Sequence, residues 1–87
     1  MTAVGGDTLQ VRWFAGARAA AGTPAETAGA APEESVRTVL ARLAADRPGL
    51  GRVLPACSFL LDGVSARADA PVGTATTLDV LPPFSGG

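Results

Sequence analysis

A stripe of apolar residues, Val36, Val39, Leu40 and Leu43, constrains this 87-residue chain more than any other feature. The four fall at i, i+3, i+4 and i+7, the spacing that lines one face of an α-helix. Ser35 stands where its hydroxyl can cap the first turn, and Glu33 and Glu34 place negative charge near the positive end of the helix. Arg47 lies at the far end, and Pro48-Gly49 predicts the stop. So short a helix is not stable by itself, and its stripe must be buried against other elements.

Strands supply that surface. In "TLQVRWFA", Leu9, Val11 and Trp13 alternate with Gln10, Arg12 and Phe14, so one face is apolar and Phe14 adds a large apolar group to the other. Gly16, Gly22 and Pro24 mark the next stretch as a connection, with a helical turn over Ala17 to Ala21. A short strand follows near Glu26 to Gly29, although its residues have little β propensity. "CSFLLDGVSA" reads as a hairpin about Asp62-Gly63, two residue types that tolerate positive φ. Gly73 punctuates the next loop, and "TTLDVL" is a last strand with Leu78 and Val80 facing inward and Leu81 outward.

The order strand, strand, helix, strand, short strand, strand points to an α+β fold of the β-grasp type. Its mixed sheet carries one main helix across one face, and a right-handed crossover pairs the first and last strands in the middle. We expect residues 1–7 to be a flexible N-terminus, residues 8–82 a single domain, and residues 83–87 an extended, flexible Gly-Gly tail. With the last strand held centrally, the tail must leave the globule.

Composition narrows the chemistry. Hydrophobic residues are 47% and charged residues 17%, which suits a folded domain. A net charge of −1 offers no basic field for nucleic acid or for anionic membranes. No apolar run approaches the roughly 20 residues of a spanning helix, and the first residues do not resemble a signal peptide. A single cysteine cannot form an internal disulfide, which fits a cytoplasmic chain. Histidine, lysine and tyrosine are all missing, so no Ser/His or Cys/His nucleophile, histidine metal site or lysine Schiff base can be built. The carboxylates are scattered without an evident acid–base pair. Cys57 sits in the apolar run "CSFLL" and reads as packing, with sulfur relay as the alternative. Any chemistry must therefore come from the chain's end, "LPPFSGG", or from a partner.

Three segments carry a family resemblance: "VRWFAGARAAAGTPAE", "SVRTVLARL" and above all "LDVLPPFSGG". On these the chain resembles the MoaD/ThiS ubiquitin-like sulfur carriers, and within them the small subunit of molybdopterin synthase most closely. The likeness runs from Leu9 onward. Asp62 stands where the family often carries asparagine, and the second strand is unusually rich in alanine.

The resemblance implies a co-substrate rather than an enzyme. The carboxylate of Gly87 would be adenylated by a ubiquitin-activating-type enzyme, which uses ATP, and then converted to a thiocarboxylate by a sulfur donor such as a persulfide-forming sulfurtransferase. No cofactor would be bound by the chain itself. The large subunit of molybdopterin synthase would be a further partner. Gly86 and Gly87 are expected to thread a narrow active site that a β-carbon would obstruct. Pro82 and Pro83 lack N–H donors and should end strand pairing. Phe84 and Ser85, with Pro83, would contact the partner, and Phe14, Leu60, Leu81 and Arg18 would form its docking surface. Thiamin, cysteine and secondary-metabolite pathways use carriers with the same ending. A protein modifier is a further alternative and, without lysine, could make single attachments but not lysine-linked chains.

Overall fold

A computed structural model describes residues 7–83. Expectations for residues 1–6 and for Phe84, Ser85, Gly86 and Gly87 lie outside the described residues. Strand β1 (Thr8–Trp13) buries Leu9, Val11 and Trp13 and exposes Thr8, Gln10 and Arg12, as its alternation requires. The turn expected over Ala17 to Ala21 is a longer helix, α1 (Ala15–Ala21), closed by Gly22 at φ 83°. That left-handed conformation is one that only glycine adopts without strain. Strand β2 (Ala25–Gly29) then pairs antiparallel with β1, despite its weak propensity.

The main helix is α2 (Val36–Ala44). Val36, Val39 and Leu40 are buried as expected, while Leu43 is half-buried. The Ser35 hydroxyl accepts from the Thr38 N–H at 3.1 Å and caps the helix. Two further N–H groups of the first turn, on Val36 and Arg37, donate to the carbonyls of Ala70 and Ala68, so a distant loop completes the cap. Glu34 does more than bias the helix end. It accepts from the Ala31 N–H and from the Arg42 guanidinium.

Pro48-Gly49 does not act as the stop. Helix α2 ends at Ala44, and Pro48 opens a second helix, α3 (Pro48–Val53), with Arg47 as its N-cap. Proline suits a first helical turn because the N–H it lacks would have no partner there. Leu50 of α3 is fully buried and extends the core that α2 alone would leave incomplete. A 3₁₀ turn (Leu54–Ala56) leads into β3 (Ser58–Leu61), which folds back as β4 (Val64–Ala66).

Asp62 and Gly63 link β3 and β4 at φ 50° and 82°, as a tight two-residue hairpin demands. The Asp62 carboxylate also accepts from the backbone N–H groups of Thr76 and Thr77 and from the Thr76 hydroxyl. Those bonds, the Thr76 N–H foremost, hold its pKa below the ordinary carboxylate value. They staple the hairpin to the start of β5 (Thr77–Leu81).

The sheet order is β2-β1-β5-β3-β4. Strands β1 and β5 are parallel and central, and β3 runs antiparallel to β5. This is the β-grasp arrangement. Leu9, Val11, Trp13, Phe59, Leu78 and Val80 meet the buried residues of all three helices in one core. No helix among the described residues is long and apolar enough to cross a membrane. The helices pack against one face of the sheet, and Arg12, Leu60 and Asp79 lie on the other.

Candidate functional site: the outer sheet face and the tail exit

Register decides which side chains share the outer face. Val11 pairs with Leu78 and Trp13 with Val80 on the core side, so Arg12 and Asp79, a matched pair between them, point outward. Leu60 is the partner of Asp79 on β3, and Leu81 lies two residues beyond Asp79 on the same side of β5. Phe14 follows β1, and its N–H donates to the Val80 carbonyl at 3.2 Å, continuing the parallel ladder one step. Phe14, Leu60 and Leu81, three residues assigned to docking from the sequence, thus fall on one surface.

Phe14 is 40% exposed, a high value for a residue of its size, while Leu60 and Leu81 are half-buried. The backbone explains why Phe14 stays outside. It is extended, at φ −121° and ψ 148°, and Ala15 then turns the chain into α1 at φ 49°. A left-handed alanine costs roughly 1–2 kcal/mol. The reversal sends α1 to the core side and leaves the Phe14 side chain behind on the outer one.

At the centre of this face lies an ion pair that the sequence reading missed. Arg12 Nε donates to Asp79 Oδ1 at 2.6 Å, and Nη2 donates to Oδ2 at 2.9 Å. Asp79 is only 6% exposed and is the one buried charged residue among those described. Hydrogen bonding to Asp79, and then its charge, raises the Arg12 pKa above its ordinary value. A signal was available: a carboxylate in the middle of "TLDVL", on a strand flanked on both sides, requires a partner at the matched register position.

Strand β5 ends at Leu81, followed by half-buried Pro82 and exposed Pro83 outside any strand, as expected for residues without N–H donors. Arg18 lies in the last turn of α1 and is exposed.

Cys57 is elsewhere. It is half-buried, its thiol donates to the Val53 carbonyl at 3.3 Å, and burial pushes its pKa up. A thiol so placed is a packing group with little thiolate character. It lines a groove of about 890 Å³ between α2, the 3₁₀ turn, β3 and β4, together with Leu40, Leu54, Phe59 and Ala66. None of residues 79–83 borders that groove.

A central strand that delivers its C-terminus past a partly apolar sheet face defines a ubiquitin-like β-grasp protein. The chain belongs to the ThiS family, whose family model matches residues 11–87. Members of that family are ubiquitin-like sulfur carriers served by an activating enzyme and are not themselves catalysts. No curated protein is close enough in sequence to match the chain.

Solved structures agree on the fold. Small archaeal modifier protein 1 from Methanosarcina acetivorans is 26% identical, with a TM-score of 0.75 over 92% of this chain and 96% of that one. The protein of the same name from Haloferax volcanii is 23% identical, with a TM-score of 0.76 over 92% and 99% of the two chains. A candidate subunit 1 of molybdopterin converting factor from Pyrococcus furiosus is 16% identical, with a TM-score of 0.74 over 88% and 98%.

Proposed function

We propose that this protein is the sulfur-carrying small subunit of a molybdopterin synthase, with Gly87 as its reactive residue. The observation that carries the proposal is the path of β5. It lies between β1 and β3 and ends at Leu81, with Pro82 and Pro83 outside any strand and "FSGG" following them in the sequence. The family match, which includes those last residues, supports a reactive terminus.

An α-carboxylate has a pKa near ~3.5, so it is ionised at neutral pH and a poor electrophile. The activating enzyme makes it an acyl-adenylate and releases pyrophosphate from ATP. A donor persulfide displaces AMP to give an acyl disulfide. A thiol then attacks the donor-side sulfur, leaving a thiocarboxylate on Gly87 and a disulfide on the donor. Gly86 and Gly87 lack the side chains that would crowd this passage. Phe84 and Ser85 with Pro83 guide the tail, while Phe14, Leu60 and Leu81 seat the globule on the activating enzyme and on the synthase large subunit, with Arg18 at the margin.

A second reading is favoured by the likeness to the small archaeal modifier proteins. In it the activated glycine is joined to a target amine instead of receiving sulfur. Intact-mass measurement separates the two after incubation with the cognate activating enzyme, ATP and a sulfur source. Replacement of one oxygen by sulfur on this chain supports the carrier, and amide-linked adducts support the modifier. Deletion of Gly87 is expected to abolish both products, and a shortened chain that still accepted sulfur would overturn the assignment of Gly87.

A further inference from the structure

The Arg12–Asp79 pair is built in a way that a merely stabilising ion pair does not need. Arg12 uses only one edge of its guanidinium on Asp79, through Nε and Nη2. Nη1 and the second N–H of Nη2 have no acceptor among the described residues, and the Arg12 side chain is 52% exposed while that of Asp79 is 9% exposed. The inner member is sealed by the outer one, and the outer one presents a planar edge of parallel N–H donors to solvent. Asp79 holds that edge still. A guanidinium edge of this kind matches the two oxygens of a carboxylate.

Its surroundings identify when the edge is used. Arg12 and Asp79 lie in the sheet beside Leu60, one step along the ladder from Phe14 and Leu81. A protein that engages the tail beyond Pro83 and rests on those apolar residues must also cover Arg12. Once covered, the free donors lose water, and a buried cationic donor without an acceptor is costly. An apolar partner surface would therefore be rejected at this point, and a carboxylate accepted.

We infer that the activating enzyme presents a carboxylate to the free edge of Arg12, so that Arg12, fixed by Asp79, sets partner specificity at the centre of the docking face. The inference rests on the carrier reading, because it assumes that an activating enzyme binds over the tail. Arg12 is a positioning and recognition residue. It touches no reacting atom.

The test compares full-length variants for binding to, and adenylation by, the activating enzyme of the same organism at low and moderate salt. Replacing Arg12 alone would leave Asp79 buried without a partner and could unfold the chain. The informative variant is therefore the double replacement Arg12→Leu with Asp79→Ala. Removing both partners leaves no unpaired charge on the buried Asp79 side, so its denaturation midpoint should stay close to that of the wild type. Binding should nevertheless weaken by about tenfold or more, with a shallower salt dependence. Arg12→Lys keeps the charge but not the two-donor edge and should also bind several-fold more weakly.

A double variant that binds as tightly as the wild type overturns the inference and leaves the carrier reading standing. Full affinity in Arg12→Lys overturns the two-oxygen contact. Wild-type protein that is neither bound nor adenylated overturns the carrier reading and this inference together.

Discussion

The indole Nε1 of Trp13 donates to Glu26 Oε2 at 2.8 Å, linking the last residue of β1 to the edge strand β2. Arg47 grips the same carboxylate through both oxygens, at 2.6 and 3.0 Å, from the N-cap of α3. One side chain thus holds together two strands and a helix start. Its hydrogen bond with Arg47 dominates and lowers the Glu26 pKa against the upward push of burial, with the Trp13 indole adding to the lowering.

Stability should accordingly fall in acid. A carboxylate with a folded pKa below its unfolded value contributes fully above that unfolded value, near ~4.3 for glutamate, and loses its contribution as pH falls through the folded pKa. Denaturant melts from pH 7 to pH 2 should show the decline beginning below about pH 5. Glu26→Gln should cost about 1–3 kcal/mol at pH 7 and make the decline shallower. An unchanged pH profile in that variant would show that Glu26 is not a source of the acid sensitivity.

Leu40 tests the core. It is 2% exposed and packs within the cluster shared by α2 and the central strands. Leu40→Ala should destabilise the protein by on the order of 2–5 kcal/mol. A loss under about 0.5 kcal/mol, the range of ordinary surface changes, would mean that the helix face is misassigned.

Phe14 tests the docking face. Because it lies outside the core, Phe14→Asp should change stability by less than about 1 kcal/mol. The same change should sharply reduce binding to the activating enzyme, measurable by titration calorimetry. Leu81→Asp should also weaken binding, but with a larger loss of stability, because Leu81 is half-buried and two residues from the carboxylate of Asp79. If Phe14→Asp unfolds the chain, Phe14 belongs to the core instead.

Much of this architecture is legible in the chain itself. Val36, Val39 and Leu40 mark the buried face of α2, Ser35 caps it, Asp62-Gly63 turns the hairpin, and Leu78 and Val80 face the core from β5. Those signals are local: a few neighbouring residues set a periodicity or allow a positive φ, and no distant contact is needed to read them. Pro48 misled because proline both ends helices and begins them, and Leu43, half-buried, packs against the margin of a core to which α3 adds the buried Leu50.

Only the tertiary structure could join residues far apart in sequence. Arg12 and Asp79 are separated by 67 positions and Glu26 and Arg47 by 21. Each is an ordinary charged residue until the register of the parallel β1–β5 pair, or the placement of α3, brings its partner within hydrogen-bond reach. Periodicity along the chain assigns a residue to a face. Which charge sits opposite it depends on strand order and register, and these are settled by the packing of the whole domain.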